Sequence, residues 1–259
     1  MKPIWTGGIR FGLIYIPVNL YSGTKDHQLT FHYLDKNDNS RIHYGKYRES
    51  DGKEVSKDDI VKGYEYKKGE YVIMEDSDFE KADVKKSNTI DVSSFVTVGE
   101  INTKYFDKPY YLEPAENAAE IYALLVQALK KSKKVGVATY VFKTHEHLAA
   151  LKAEGDMLVL NQLRFATELR DPSELTIPKQ GKVKKEELNM AIDIISNMEG
   201  KFDPKKYKDS YVKSLKKAIQ EKKEKKTITP KGKIPKATEV TDLMKELKKS
   251  LEKSKKVKV

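Results

Sequence analysis

Apolar and polar positions divide the chain into a β-patterned first half and a helix-patterned end. Ile14 to Leu20 gathers β-branched residues around Pro17 and predicts a strand. Proline cannot donate to a ladder, so this strand is expected at an edge or a bulge. Gln28 to Leu34 alternates loosely, and Glu65-Tyr66 and Tyr71 to Met74 flank Lys67-Lys68-Gly69 in the manner of a hairpin. Asp35 to Asn39 and Glu49 to Gly52 are polar turn clusters, and Asp76 to Ala82 predicts a short acidic helix. After Pro114, Ile121, Leu124, Leu125, Ala128 and Leu129 share one helical face, which ends by Lys134. Val135 to Phe142 and Met157 to Phe165 return to a strand pattern. Arg170-Asp171-Pro172 and Pro178 punctuate a loop before an amphipathic helix built on Leu188, Ala191, Ile192, Ile195 and Met198, which stops at Gly200.

The core is therefore expected over residues 1–200. Asp203-Pro204 then forms an N-cap with a first-turn proline, and Tyr207, Tyr211, Leu215 and Ile219 recur every four residues on a lysine-rich helix. So narrow a stripe needs a partner to stay folded. Lys222 to Lys236, with Pro230 and Pro235, reads as a linker. Val240, Leu243, Met244, Leu247 and Leu251 form a last apolar stripe over Thr241 to Lys253. The expected division is a core at 1–200, a helical arm at 201–226 and a basic tail at 227–259, with no internal repeat.

Charge sharpens this division. The net charge is +11, yet residues 1–200 carry 29 Lys and Arg against 31 Asp and Glu, whereas residues 201–259 carry 21 against 8. The whole positive excess lies in the last 59 residues, arm and tail together, and the tail's Lys231, Lys233, Lys236, Lys245, Lys248, Lys249, Lys253, Lys255, Lys256 and Lys258 suit a polyanion bound in a salt-dependent way. Nucleic acid is the natural partner; an anionic membrane surface or mere solubility are the alternatives. The absence of cysteine excludes disulfides, thiolate zinc sites and a cysteine nucleophile. With no signal-peptide run and no apolar stretch of spanning length, the expectation is a cytoplasmic, nucleoid-associated protein.

The chemistry search is mostly negative. The chain has no GxxxxGK[ST] phosphate loop, GxGxxG, HExxH or GxSxG. Ser50-Asp51-Gly52 is close to the KxDG adenylation motif of DNA ligases, but Glu49 stands where the nucleophilic lysine would be. His145-Glu146-His147 offers two imidazoles on one strand face without a third ligand. Asp58-Asp59 and Asp76 with Asp78 fit turn and helix-start positions better than two-metal chemistry. No catalysis, metal or cofactor is expected. Trp5, Phe11, Tyr15 and Tyr21 suit core packing or subunit contact more than base stacking. Arg41, Lys46, Arg48 and Lys53, with His43 and Tyr44 between, suit phosphate contacts that slide over sequence, or else a plain solvated hairpin.

Longer strings carry a resemblance. IWTGGIRFGLIYIPVNLYS at 4–22, DIVKGYEYKKGEYVIMEDSDFE at 59–80, YFDKPYYLEP at 105–114, HLAALKAEGDMLVLNQLRF at 147–165 with ELRDP at 168–172, and GKFDPKKYKDSY at 200–211 resemble, in order, segments of the bacterial Ku proteins. The resemblance is nearly continuous from residue 4 to about residue 225. It implies an α+β, β-rich fold: an open β-barrel with bridging strands that form a dimeric ring round the duplex, followed by a helical C-terminal arm and basic tail. It also implies binding of DNA ends without sequence preference, no catalysis, and recruitment of an ATP-dependent DNA ligase in non-homologous end joining. Lys36, Arg41, His43, Lys46, Arg48 and Lys53 fall in the bridging region, and Lys143 and His145 in another segment near the lumen. Phe202, Tyr207, Tyr211 and Leu215 fall in the ligase-recruiting region. Some relatives carry cysteines in the turn where this chain has Glu49, Ser50 and Asp51, so any metal role there is removed. Two other readings remain distinct: a chromosome binder acting through its tail alone, and an end-processing enzyme.

Overall fold

In the computed structural model, residues 1–82, 88–143, 145–178, 181, 183–224 and 243–257 are described. The chain divides into two compact units, Met1–Pro172 and Ser173–Val259. In the first, β1 (Trp5–Phe11), β2 (Ile14–Ser22), β5 (Thr89–Thr97), β6 (Phe106–Pro114), β7 (Lys134–Phe142), β8 (His145–Glu154) and β9 (Met157–Leu163) form a barrel in the order β1-β2-β6-β9-β8-β7-β5. The barrel implied by the resemblance is thus present, but it is closed rather than open. The chain between β1 and β5 carries β5 back alongside β1 in parallel, Gly8 to Arg10 facing Thr89 to Asp91. Arg10 Nε donates to Asp91 Oδ1 at 2.6 Å beside this seam. The remaining barrel neighbours are antiparallel.

The glycines of β1 fit the close approach of two aromatic rings. A Cβ at Gly7 would lie 2.3 Å from the Trp5 ring and 2.1 Å from the Asn88 carbonyl oxygen, and one at Gly8 would lie 2.3 Å from the Tyr15 ring. The rings cover backbone that glycine leaves bare, a known device for stiffening a strand. Pro17 lies inside the barrel and not at an edge. Its carbonyl accepts from Ala115 N at 3.0 Å where β6 has just ended, so its missing N–H falls at the end of that ladder.

Ile9, Ile16, Leu20, Ile90, Leu151, Leu158 and Leu160 are fully buried inside the barrel. The helix α2 (Ala119–Ser132) covers it with Tyr122, Leu125, Val126 and Leu129. Each such aliphatic contributes about 1.5–3 kcal/mol on burial. Tyr122 fixes the helix to the sheet: its hydroxyl donates to Leu112 O at 2.7 Å and accepts from Leu158 N at 2.6 Å. Leu112 and Leu158 are register partners in β6 and β9. Burial pushes the Tyr122 phenol above its usual range.

Outside the barrel, β3 (Lys62–Lys67) and β4 (Glu70–Met74) form the expected hairpin and α1 spans Asp76–Ala82. Gln28 to Leu34 is not a regular strand; only Leu34 forms a bridge, to Arg41. In the second unit, α3 (Lys185–Asn197) and α5 (Leu243–Val257) pack together. The stripe expected to face the core is not covered: Leu188, Ile192, Ile195 and Met198 stay exposed, while Met190, Ala191 and Ile194 are half-buried. The expected helix over Tyr207 to Ile219 is interrupted. Pro204–Lys206 is a single 3-10 turn capped by Asp203, and α4 (Ser210–Lys223) starts anew from an Asp209 cap. Tyr207 therefore precedes the helix. The inward face of α4 is Val212, Leu215 and Ala218, which turns Tyr211 outward.

Candidate nucleic-acid interface

Between β2 and α1 the chain leaves the barrel as a long arm, in which no residue from Thr24 to Phe79 is buried. Two local turns order it. In the first, Asp35 N donates to Ser40 O at 2.8 Å and Ile42 N to Tyr33 O at 3.0 Å, with Asn39 in the left-handed region at φ 60°. Asp35 and Asp38 carboxylates accept from the amides two residues on, the habit that makes aspartate a turn former. The bonds from Ser40 hold the Asp38 carboxyl below the usual carboxylate range. In the second turn, Tyr47 bridges to Glu54, Arg48 N donates to Lys53 O at 2.8 Å and Val55 N to Lys46 O at 2.8 Å. Gly52 takes φ 67° at its tip.

These turns present Lys36 and Arg41 on the first, Lys46, Arg48 and Lys53 on the second, and His43 between them, all exposed. Two of these cations share one acid: Asp51 Oδ2 lies 3.1 Å from Arg48 Nη1 and 3.9 Å from Lys53 Nζ. Side chains this exposed gain about 0–1 kcal/mol from such pairs and exchange them readily. Phe31, Tyr33, Tyr44, Tyr47, Tyr64 and Tyr71 stand exposed along the same arm, Tyr44 at 85%. Tyr33 and Tyr44 meet edge to face at 6.1 Å.

Lys143 and His145 lie on the barrel, at the two-residue connection pinned by the pairing of Phe142 with His145. Lys143 has φ 51°, a conformation that costs a residue with a Cβ about 1–2 kcal/mol and that Asn or Gly ordinarily fills in such hairpins. Its ammonium sits 5.4 Å from the Phe142 ring, and His145 Nδ1–H donates to Lys143 O at 3.0 Å. The arm cations and this pair stand on different elements, one set outside the barrel and one on its rim. A basic residue overlooked in the sequence, Lys108, lines the same cavity of about 470 Å³ as Lys143, together with Ser22 and Thr24 at the root of the arm. The signal was the Lys108-Pro109 pair in the middle of β6, where an irregular register was to be expected.

In the second unit, Phe202, Tyr207 and Tyr211 are each more than 70% exposed, Phe202 stacks on Tyr207 at 5.8 Å, and Leu215 is half-buried. Of the tail lysines, Lys245, Lys248, Lys249 and Lys253 lie on α5, and Lys249 Nζ is 2.8 Å from Glu246 Oε1. Lys255 and Lys256 fall within the helix backbone; Lys231, Lys233, Lys236 and Lys258 lie outside the described residues. Among the described residues no three His, Asp or Glu gather as metal ligands, and no helix is long and apolar enough to cross a membrane.

Comparison with known proteins agrees with this geometry. Residues 10–190 match the family model "Ku70/Ku80 beta-barrel domain". The chain is 42% identical over 254 residues to the non-homologous end joining protein Ku of Opitutus terrae, covering 97% of this chain and 91% of that one. It is 37% identical to the Ku protein of Coxiella burnetii over 99% of this chain and 96% of that one, and 33% identical to that of Bacillus subtilis over 98% and 83%. With a matching barrel over most of its length and relatives aligned nearly end to end, the chain belongs to the Ku family.

Proposed function

We propose that this protein binds the ends of double-stranded DNA without sequence preference and takes part in non-homologous end joining. Two copies form a ring through which the duplex threads. The observation that carries the reading is the arm from Thr24 to Phe79: cations and large aromatics side by side, none of them buried. Exposed apolar surface on this scale calls for a partner. A second copy covers the aromatics, and the lysines and arginines turn to phosphates. Contacts of this kind fix a protein on the duplex and carry no base information.

Such a ring needs no strongly basic barrel, because encirclement retains DNA by topology. That accounts for the slightly acidic first 200 residues. The lysine-rich end adds a second, end-independent mode of binding through charge alone. The protein performs no chemistry; residues 201–226 pass the end to an ATP-dependent DNA ligase through Phe202, Tyr207 and Tyr211. The deciding test is a gel-shift competition between linear and covalently closed circular duplex. Preference for the linear form is expected; equal binding of both would mean that the tail does all the work.

A further inference from the structure

The apolar arc of α2 is wider than the barrel it covers requires. Tyr122, Leu125, Val126 and Leu129 are buried against the barrel. Ile121, Leu124 and Ala128 form a second stripe beside them at spacings of three and four, and Leu124 is 64% exposed. This stripe is one wall of a separate groove of about 470 Å³, and Phe11, Ile14 and Phe95 form the other. Phe11 and Phe95 brace each other edge to face at 6.4 Å. Leu13, the turn residue between Phe11 and Ile14, stands wholly exposed. Apolar surface left open in this way marks a face for a protein partner.

Charge is divided along the groove. Ser132 and Lys134 line it at the C-terminal end of α2, where the chain reads Lys130-Lys131-Ser132-Lys133-Lys134. Lys130 is held by Asp156 at 3.0 Å, and Lys134 has Glu100 as its neighbouring acid. Lys131 and Lys133 are exposed and make no ion pair among the described residues. Cations in a last turn answer the helix dipole. Lys133 lies beyond that turn, in the left-handed region at φ 54°, where glycine or asparagine ordinarily ends a helix. At the other end of α2 stand Glu116 and Glu120, both exposed. The stripe from Ile121 to Ser132 runs about 16 Å, three turns of helix. Helices ordinarily carry acids in their first turn and cations in their last. One laid antiparallel to α2 therefore sets acids against Lys131 and Lys133, cations against Glu116 and Glu120, and its own apolar stripe into the groove.

We propose that this groove docks an amphipathic helix of another protein, antiparallel to α2, with its acidic first turn at Lys131 and Lys133. The inference goes beyond the duplex-binding reading and stands without it, because every residue it uses lies on the barrel and α2, away from the arm.

The test uses the full chain and two labelled synthetic peptides of about fourteen residues with the same leucine stripe. One has glutamates in its first turn and lysines in its last; the other has these exchanged. Fluorescence anisotropy measures both against the native chain, against Leu124→Gln, and against Lys131→Glu combined with Lys133→Glu. All three positions are exposed, and glutamate is no more strained than lysine at Lys133. The native chain should bind the first peptide about tenfold more tightly than the second. Exchanging the charges also weakens the second peptide's own helix, so the comparison across variants decides. Leu124→Gln should weaken both peptides about tenfold. The charge-reversed variant should prefer the second peptide. Saturating linear duplex should leave peptide affinity level. The inference is overturned by failure of both peptides to bind, by native affinity in Leu124→Gln, or by an unchanged preference in the charge-reversed variant. Competition by duplex overturns it too, since the groove would then belong to the nucleic-acid surface. So does a change of oligomeric state in Leu124→Gln on sedimentation, which would mean that a second copy fills the groove.

Discussion

Asp51→Asn should strengthen DNA binding, an outcome few substitutions in a binding surface produce. The Asp51 carboxylate holds Arg48 at 3.1 Å and stands 3.9 Å from Lys53, so a single acid occupies two of the arm's cations. The turn survives the change: Asp51 Oδ1 accepts from Lys53 N at 3.2 Å, and an asparagine carbonyl accepts equally well. Exposed pairs of this kind contribute about 0–1 kcal/mol, so stability should fall by less than about 1 kcal/mol. The effect on binding follows from counterion release. One more phosphate effectively neutralised steepens the log–log salt slope by about 0.9, which at roughly 0.1 M salt amounts to an affinity gain of at most about eightfold per protomer engaged. Imperfect alignment of Arg48 and Lys53 with the backbone lowers this to about threefold. Fluorescence anisotropy with a linear duplex over a salt series measures both quantities. A variant with native stability whose affinity stays level or falls would refute the placement of Arg48 and Lys53 against the duplex.

Four further outcomes are expected. Tyr122→Phe orphans Leu112 O and Leu158 N, two buried backbone groups at about 1–3 kcal/mol each, so a loss of roughly 2–6 kcal/mol and a Tm lower by about 4–24 °C should be seen by circular dichroism. Tyr21→Phe, whose hydroxyl donates only to Glu113, should cost less than about 1 kcal/mol in the same assay. Truncation after Lys226 should leave end binding in place but weaker, with a flatter salt dependence; an unchanged slope in titration would remove the tail from the account. Phe202→Ala combined with Tyr207→Ala breaks an exposed stack and should leave duplex affinity within about twofold while abolishing stimulation of an ATP-dependent ligase, read by end-joining of a linear substrate.

Sequence pattern reached the elements whose apolar spacing or bounding turn residues mark them in the chain itself. The β3–β4 hairpin, α2, β7, β9, α3 and α5 all stand where periodicity predicts them. It did not single out β1, β5, β6 or β8. Gly7 and Gly8 interrupt the β pattern of β1, and the rings that lie over them come from Trp5 and, across the hairpin, from Tyr15. Strand β8 carries Ala149, Ala150 and Leu151 in one unbroken buried run, since α2 and the barrel interior cover it in succession, and such a run has no alternation to detect. The stripe on α3 predicted a core face that the structure leaves open, since periodicity reports amphipathicity and not what covers it. The arm cations were legible as exposed polar residues in turns. Lys108 was passed over: the proline after it marks an irregularity, but the strand against which the register shifts, and so the cavity it shares with Lys143, comes only from the three-dimensional pairing.

The central claim is threading over an end. Its most direct measurement takes the chain truncated after Lys226, so that tail binding is removed, and compares one linear duplex with free ends against the same duplex carrying streptavidin on biotin at both ends. The account predicts stable binding to the first and loss of that binding on the second. Equal affinity for both would contradict it.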